Sequence, residues 1–384
     1  MNRLFSNLCA GVVGCALALQ FPAAADAGSK ERVLHSFNRG ADGKYPKAGL
    51  VNVTGTLYGT TEVGGTHNGG AVFSVNLTSG VETLVYSFAG QPDGDFPLAG
   101  LIDVNGTLYG TTAYGGNADK GTVFSVNPTT GAETVLHSFD SATDGKIPVA
   151  SLIDVRGTLY GTTEYGGTVG AGTVFSLDVK TGTETVLHSF GGAPDGTYPV
   201  ANLIKVKGTL YGTTEIGGTN GSGTVFSLDL KTGAEKVLYS FSGGTDGEYP
   251  EGSLIDVNGA LYGTAGLGGA YNYGNVFSLN PTTGAETVLY SFGGGTDGVS
   301  PVAGLIDVKG TLYGTTEAGG ADNYGTVFSV NPTTGTETVL YTFGGGTDGG
   351  NPYPGLVNGM GKLYGTTYFG GAYNYGTVFE IKKP

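Results

Sequence analysis

The chain has 384 residues and a formal net charge of −14, with 18 lysines and arginines against 32 aspartates and glutamates. This acidic balance argues against nucleic acid and against anionic lipid as partners. Both cysteines, Cys9 and Cys15, lie near the N-terminus, so the rest of the sequence offers no disulfide and no cysteine-ligated metal site.

The first segment has the pattern of a secretory signal peptide. Arg3 supplies a positive charge, an apolar run from Leu4 to Phe21 follows, and small residues surround Asp26. This order predicts a signal peptide at residues 1–27 and a secreted or periplasmic mature chain. An uncleaved membrane anchor is the alternative, and the small residues favour cleavage. We expect no membrane span after residue 27.

The remainder of the chain is built of repeats of 51 residues. Their common motif is Leu-Tyr-Gly-Thr, and its spacing shows no insertion or deletion. The tyrosine of this motif recurs at Tyr58, Tyr109, Tyr160, Tyr211, Tyr262, Tyr313 and Tyr364. Glycine provides 74 residues, and the strict period assigns them to the turns of a repeated unit rather than to low-complexity sequence. Residues 28–384 accommodate seven such repeats and are predicted to form one domain.

Each repeat contains four short runs of β-branched and aromatic residues. In the repeat that includes Tyr160, the four predicted strands are residues 152–155, 158–163, 173–177 and 184–190. A two-residue turn ending in glycine, a longer glycine-rich loop and a Thr-Gly turn separate these strands. A long connection with an Asp-Gly pair and a proline leads to the next repeat.

This organisation predicts an all-β protein, a seven-bladed β-propeller with four antiparallel strands per blade. A linear β-solenoid is the competing architecture, but it needs distinct caps, and none is recognisable. The first repeat element, Glu31–Phe37, corresponds to a fourth strand, whereas the last repeat has only three strands and ends at Thr377–Ile381. We therefore expect these two segments to pair, so that the N-terminal strand completes the last blade.

The repeated motifs resemble those of known families. The elements Leu-Tyr-Gly-Thr-Thr, Gly-Thr-Val-Phe and Thr-Asp-Gly-x-x-Pro are similar to Kelch-type and quinoprotein-type propeller repeats, and most similar to the GloVer tandem-repeat family of exported bacterial proteins. The resemblance covers residues 31–381. It implies an exported repeat protein, often associated with the cell surface, and it supplies no catalytic residues.

The predicted blade places its two long connections on one face of the disc, and we expect the binding surface there. Loop carboxylates and tyrosines are the candidate ligand-binding residues, because sugars stack on tyrosine rings and hydrogen-bond to carboxylates at the ring edges. The candidates are Glu164, Tyr165, Glu215, Tyr271, Tyr273, Glu317, Tyr324, Tyr373 and Tyr375. Solvated loop carboxylates and ring packing between blades are the structural alternatives.

Metal and cofactor sites are not indicated by a motif. His35, His137 and His188 occupy a strand position that is tyrosine in the other repeats, so we expect no metal site. The Asp-Gly aspartates are interpreted as turn formers. A calcium ion held by aspartates and loop carbonyls stays open, although no calcium-loop motif is present.

A catalytic site would need to differ from its copies in the other repeats, and Glu251 is among the few departures from the pattern. No nucleophile, metalloprotease or phosphate-loop motif accompanies it. We therefore predict a non-enzymatic binding module that contacts a polysaccharide or a cell-surface component. A carbohydrate-active hydrolase or lyase with a loop Glu/Asp pair is one alternative, and a structural matrix protein is another. The sequence does not indicate an oligomeric state.

Overall fold

The computed structural model describes residues 31–38, 40–140 and 143–383, and the predicted signal peptide at residues 1–27 lies outside this part. Every regular element among the described residues is a β-strand. These residues form no helix of the length and apolarity needed to cross a membrane.

The strands group into seven sheets of four, with two further pairs of two-residue strands. The first fifteen are β1 (Glu31–Ser36), β2 (Val51–Val53), β3 (Thr56–Thr61), β4 (Ala71–Asn76), β5 (Glu82–Ser87), β6 (Gly94–Asp95), β7 (Ile102–Val104), β8 (Thr107–Thr112), β9 (Tyr114–Gly115), β10 (Thr122–Val126), β11 (Glu133–Ser138), β12 (Ile153–Val155), β13 (Thr158–Thr163), β14 (Thr173–Asp178) and β15 (Glu184–Ser189). The others are β16 (Gly196–Thr197), β17 (Ile204–Val206), β18 (Thr209–Thr214), β19 (Ile216–Gly217), β20 (Thr224–Asp229), β21 (Glu235–Ser240), β22 (Ile255–Val257), β23 (Ala260–Ala265), β24 (Asn275–Leu279), β25 (Glu286–Ser291), β26 (Ile306–Val308), β27 (Thr311–Thr316), β28 (Thr326–Val330), β29 (Glu337–Thr342), β30 (Val357–Gly359), β31 (Lys362–Thr367) and β32 (Thr377–Lys382).

Each four-stranded sheet is one antiparallel blade of a seven-bladed propeller, which confirms the predicted fold class. In chain order, blades 1 to 6 are β2–β5; β7, β8, β10 and β11; β12–β15; β17, β18, β20 and β21; β22–β25; and β26–β29. Blade 7 consists of β30, β31, β32 and β1. The three-residue strand that opens each blade lies innermost, and these strands neighbour one another around the central axis.

The N-terminal strand closes the ring as predicted. β1 pairs antiparallel with β32, with Glu31 opposite Ile381 and Ser36 opposite Thr377. Blade 7 also carries an ionic contact that the repeat pattern does not include. The buried Glu380 Oε1 lies 2.8 Å from Arg32 Nε and 2.6 Å from Lys362 Nζ. In the corresponding position, the other blades have a serine, as in Ser176 of blade 3.

Phenylalanine pairs join each blade to the next. Phe139 at the end of the outer strand of blade 2 meets Phe175 of blade 3 edge to face, with ring centroids 5.3 Å apart. The equivalent pairs at the other six junctions have centroid distances between 4.9 and 5.1 Å. The rings are fully buried, so the hydrophobic core is a closed series of clusters between blades.

This packing explains the glycine of the Leu-Tyr-Gly-Thr motif. A β-carbon on Gly161 would lie 2.7 Å from Phe175 Cζ and 2.8 Å from Leu152 Cδ2, and no positive φ is involved. The glycines at the same position of the other six blades face the same two neighbours at similar distances. The phenylalanine ring therefore occupies the space that any larger residue would need.

Gly161→Ala is expected to destabilise the fold by about 1–3 kcal/mol, because the added methyl group overpacks the core against Phe175. The measurement is the chemical denaturation midpoint. Gly208→Ala is the matched control, since a β-carbon there meets no atom within 4 Å. Equal midpoints for the two variants would contradict this account of the motif.

Candidate functional site

A cavity with a volume of about 740 Å3 lies on the axis of the ring. Its lining includes the residue four positions before the inner strand of each blade. These equivalent residues are Lys47, Leu98, Val149, Val200, Glu251, Val302 and Tyr353. Glu164 and Glu215 join the lining from the ends of the second strands. We call Lys47, Glu164, Glu215, Glu251 and Tyr353 the channel mouth.

The channel mouth opens on the face that carries the long loops. Inner strands begin at this face and second strands end at it, because the two are antiparallel neighbours. The residues before β12 and β17 therefore lie beside the residues after β13 and β18. The glutamates after the second strands therefore lie on the face of the long loops, and Glu164 and Glu215 line the cavity near the axis.

The backbone that holds the glutamates is strained at an equivalent position in every blade. The residue before the connection's proline has a positive φ, between 54° and 62°, although none of the seven is glycine. These residues are Tyr45, Phe96, Ile147, Tyr198, Tyr249, Ser300 and Asn351. For the β-branched Ile147 this conformation is a clear outlier. Its carbonyl accepts the amide N–H of Glu164 at 3.0 Å, and Tyr198 does the same for Glu215 at 2.9 Å. Because this conformation recurs in every blade, it is a feature of the repeat, and it positions the residue that follows each second strand.

The carboxyl groups of the mouth share a partly desolvated environment. Burial, with added repulsion from Glu215 and Glu317, raises the pKa of Glu251 to about 7, and Lys47 opposes this shift. Burial also raises the pKa values of Glu164 and Glu215. A site with these properties offers both ionised and protonated carboxyl groups near neutral pH, so it can accept and donate hydrogen bonds.

Tyrosines orient three of the glutamates around the mouth. Tyr353 Oη donates to Glu317 Oε1 at 2.6 Å, and Tyr368 Oη donates to Glu62 Oε2 at 2.9 Å across the junction of blades 7 and 1. A side-chain hydrogen bond with Glu164, assisted by burial, raises the pKa of Tyr165 to about 12.

Two contacts extend this polar and aromatic rim. Lys47 Nζ lies 5.5 Å from the ring centroid of Tyr353. Tyr45 stacks on Tyr368 with centroids 5.0 Å apart. The rim therefore combines flat rings, carboxylates and a cation within one opening, and it can present both stacking surfaces and hydrogen-bonding groups to a ligand.

Below the mouth, small residues bring neighbouring blades close together. The equivalent residues two positions further along the chain are Gly49, Gly100, Ser151, Asn202, Ser253, Gly304 and Gly355. Asn202 Oδ1 accepts the backbone N–H of Ser151 at 2.7 Å, and Asn202 donates its own N–H to Ser253 Oγ at 3.1 Å. A β-carbon on Gly355 would lie 2.8 Å from the carbonyl oxygen of Gly304. Backbone atoms thus surround the axis at this level.

The nine candidate residues divide into an inner group of four, an outer group of four, and Tyr375, which packs in the hydrophobic core. Glu164, Tyr165, Glu215 and Glu317 lie at or beside the channel mouth. Tyr271, Tyr273, Tyr324 and Tyr373 are exposed on the glycine-rich loops, and Tyr273 and Tyr324 approach the glycines that follow the outer strands. Tyr375 packs against Tyr45 with centroids 5.7 Å apart and joins the hydrophobic cluster between blades 7 and 1.

Three residues of the mouth, Lys47, Glu251 and Tyr353, are absent from the nine sequence-based candidates, although the sequence marks Glu251 as a departure from the repeat. All three stand where four repeats carry leucine or valine. A comparison of the repeats position by position would reveal all three as departures. This signal is weak because each residue is unusual only in comparison with the residues at the same position of the other repeats.

The Asp-Gly aspartates occupy the outer part of the junctions between blades. Asp195 Oδ2 accepts the backbone N–H of Gly191 at 2.9 Å, and its Oδ1 accepts that of Gly196 at 2.7 Å. Asp246 Oδ2 accepts the backbone N–H of Ser242 at 2.8 Å in the same way. These bonds fit the interpretation of the aspartates as turn formers.

A family model, the Gloeobacter/Verrucomicrobia repeat, matches residues 23–226, 141–317 and 202–384. Among curated proteins, none matches the sequence.

Several solved structures share the propeller architecture. An oligogalacturonate lyase from Vibrio parahaemolyticus has 12% identity and a TM-score of 0.57, over 89% of this chain and 90% of that one. An oligogalacturonate lyase in complex with manganese has 12% identity and a TM-score of 0.54, over 86% of each chain. The extracellular domain of the one component system BT4673 from B. thetaiotaomicron has 12% identity and a TM-score of 0.59, over 88% of this chain and 39% of that one. Identities this low show the fold alone.

Proposed function

This chain belongs to the Gloeobacter/Verrucomicrobia repeat family, and on that premise we propose that it is an exported, non-enzymatic binding module whose channel mouth holds a segment of a glycan. Export rests on the signal-peptide pattern of residues 1–27. A cell-surface polysaccharide is the natural source of such a ligand for an exported bacterial protein.

The observation that carries this proposal is the convergence of non-repeated residues on one opening. Lys47, Glu251 and Tyr353 replace leucine or valine of the sister blades, and all three line the same cavity. These three residues are not needed to form a blade, because four sister blades fold with leucine or valine at the same position. Grouping of such departures at a concave, loop-rich site is typical of ligand binding.

The charges of the mouth favour a particular class of glycan. Three of its five residues are glutamates and one is a lysine, within a chain of net charge −14. Uronic acid residues would meet repulsion here. Neutral sugars, and sugars that carry an amine, would meet hydrogen-bond acceptors and tyrosine rings instead. The proposed ligand is therefore a neutral or amine-bearing glycan, unlike the oligogalacturonates in the names of the two lyases.

A hydrolase or lyase is the second candidate, and the environment of Glu251 favours it. A carboxyl group with a pKa of about 7 beside the carboxyl groups of Glu215 and Glu317 has the protonation behaviour of a general acid or base. Product formation separates this candidate from a binding module.

The test is retention of residues 28–384 on three immobilised glycans: a neutral β-glucan, the amine-bearing chitosan and the acidic polygalacturonate. We expect saturable retention on a neutral or amine-bearing glycan and none on polygalacturonate. Glu251→Val and Tyr353→Val copy the residue of sister blades, so the fold tolerates them. Each is expected to weaken binding at least about tenfold, or ~1.4 kcal/mol.

The other outcomes separate the alternatives. Tyr271→Ala and Tyr373→Ala serve as matched changes on the outer loops, and loss of binding in these variants alone would move the site away from the channel mouth. Shortened glycan chains in the eluate would favour the hydrolase or lyase. No retention on any of the three would contradict glycan binding and favour a structural matrix protein.

A further inference from the structure

A three-residue cluster occurs at every junction between blades. Each contains a tyrosine or histidine of one outer strand, the Asp-Gly aspartate seven residues later and the first glutamate of the next outer strand. The clusters are His35, Asp42 and Glu82; Tyr86, Asp93 and Glu133; His137, Asp144 and Glu184; His188, Asp195 and Glu235; Tyr239, Asp246 and Glu286; Tyr290, Asp297 and Glu337; and Tyr341, Asp348 and Glu31. We call these glutamates the junction glutamates.

In the four tyrosine clusters, the phenol group donates a hydrogen bond to the aspartate. The distances from Tyr Oη to Asp Oδ2 are 2.9, 2.9, 2.8 and 2.9 Å in chain order. A phenol is neutral at physiological pH and is a poor ligand for a metal ion in that state. The phenol and the aspartate of these clusters are therefore paired with each other, although Oε1 of Glu133, Glu286 and Glu337 is buried without a hydrogen-bond partner among the described residues, as in the histidine clusters.

Two of the histidine clusters bring three side chains that can ligate a metal ion close together. His35 Nε2 lies 3.1 Å from Asp42 Oδ2, and His188 Nε2 lies 3.1 Å from Asp195 Oδ2. With Glu82 in the first cluster and Glu235 in the second, the ligand atoms of each set lie within 4.8 Å of one another. Ligands that share one ion at 2.0–2.2 Å lie no more than about 4.4 Å apart, so the histidine–aspartate pairs already meet this limit and a small side-chain shift of the glutamate would complete the set.

Buried carboxylate oxygens in these clusters have no hydrogen-bond partner within the described chain. They are Oδ1 of Asp42 and Oε1 of Glu82 in the first cluster, and Oε1 of Glu235 in the second. Each cluster also holds two carboxyl groups close together, which repel when both are ionised. A bound cation would satisfy the oxygens and neutralise both groups.

We propose that the His35–Asp42–Glu82 and His188–Asp195–Glu235 clusters are two binding sites for a divalent transition-metal ion of the zinc type. One imidazole nitrogen with two carboxylates suits Zn2+, Mn2+ or Co2+ better than Ca2+ or Mg2+, which prefer ligand sets made only of oxygen. Three protein ligands leave a position for water, and all of these side chains except the buried Asp42 are partly exposed, so an ion can enter from solvent.

Each of the two proposed sites lies between blades, so a bound ion would join neighbouring parts of the ring. His35 lies on β1, which closes the ring, and Glu82 lies in blade 1, so the first ion would join the two ends of the propeller. The second ion would join blades 3 and 4. Metal binding to the folded state alone stabilises it by mass action, and this stabilisation is measurable as a rise in melting temperature.

The third histidine cluster supplies an internal comparison. His137 Nε2 lies 3.8 Å from Asp144 Oδ2, farther than in the other two clusters, and the metal-ligating groupings of the described residues do not include it. His67 lies on an exposed loop, where its Nδ1 contacts Thr66. Neither histidine is part of the proposed sites.

The experiment uses residues 28–384 without a histidine tag, stripped with a chelator and dialysed against Zn2+. Metal analysis is expected to find two ions per chain, and the melting temperature is expected to rise with Zn2+. Substitution with Co2+ should add visible absorption of a protein-ligated ion. His35→Tyr and His188→Tyr copy the sister blades and so preserve the fold. Each should remove one ion, and the double variant should remove both, along with the melting-temperature rise.

Controls make the outcome decisive. His137→Tyr and His67→Ala are expected to leave two ions bound. Retention of both ions by the His35→Tyr/His188→Tyr double variant would overturn the proposal, because the ions would then lie elsewhere. Absence of bound Zn2+ in the unsubstituted chain would overturn it as well. Glycan retention by the double variant should be unchanged, so failure of one proposal is distinguishable from failure of the other.

Discussion

A chain that begins after Phe37 is expected to lose at least about 3–5 kcal/mol of unfolding free energy relative to a chain that begins at Glu31. Without β1, blade 7 retains three strands and β32 becomes an unpaired edge. Phe37 is fully buried against Phe73 of blade 1, with ring centroids 5.0 Å apart. Loss of a buried phenylalanine side chain alone costs this amount.

The measurement is chemical denaturation of the two chains side by side. Phe37→Ala in the longer chain should reproduce most of the loss, and Phe37→Leu should cost considerably less. A synthetic peptide of residues 28–38 is expected to restore stability to the shortened chain by pairing with β32. Identical denaturation midpoints for the two chains would mean that closure of the ring contributes little to the fold.

The second large expected effect is a fall in stability as the pH rises from about 5 to about 8. In the four tyrosine clusters, burial and the neighbouring aspartates raise the pKa values of the junction glutamates Glu31, Glu133, Glu286 and Glu337 to about 7 each. The folded state therefore favours their protonated forms more than the unfolded state does. Their contribution is complete below the unfolded pKa of about 4.5 and is lost as the pH rises through about 7.

Melting temperature measured against pH in the presence of a chelator tests this effect. Glu286→Gln is expected to raise the melting temperature at pH 8 and to leave it nearly unchanged at pH 5. Adding Glu337→Gln and then Glu133→Gln should flatten the pH dependence step by step. A pH profile that stays the same through the series would show that these glutamates do not control stability.

Glu380 has the opposite effect on stability at acidic pH. Its burial alone would raise the pKa of its carboxyl group, but hydrogen bonds from Arg32 and Lys362 hold that pKa below the ordinary value. Its contribution is therefore present above the unfolded pKa and is lost as the pH falls through the folded pKa. The most stable pH is expected to lie between these two regions.

The fold could be predicted from the sequence because the seven repeats have the same pattern of strands and turns. The turn at Arg156-Gly157, with φ values of 59° and 87°, illustrates this. A two-residue turn with both φ values positive is the tight hairpin that an x-Gly pair between strand-like runs predicts. Pairing of Glu31–Phe37 with the last strand followed from counting strands, without any knowledge of side-chain packing.

The channel mouth could be predicted only in part. The chain positions of Glu164 and Glu215, at the ends of second strands, indicated that they lie on the face of the long loops. Lys47 and Tyr353 meet them only because the inner ends of different blades converge on the axis. That convergence depends on how the blades are arranged in three dimensions. The spacing of the repeats along the chain does not give this arrangement.

The junction clusters show a similar limit. The sequence places His35 and His188 in a tyrosine register, which accounts for them as strand residues. It does not show that the first glutamate of the next blade's outer strand, 47 residues after the histidine, lies beside the same aspartate across the junction. The repeat pattern of the sequence shows the strands within each blade, but it does not show which side chains of successive blades meet.

The contact of Glu380 with Arg32 and Lys362 has a consequence for how a chain of near-identical repeats finds its native pairing while it folds. Seven outer strands carry closely similar sequences, so several could compete for the free edge of β32 and trap the chain in a ring with the wrong number of blades. In the native pairing Glu380 faces Arg32, whereas five of the other six outer strands would bring a threonine to that position. Burying Glu380 with less charge compensation would cost free energy in each such mispaired ring. The buried Glu380 is therefore expected to favour closure of the ring by β1 over closure by another outer strand.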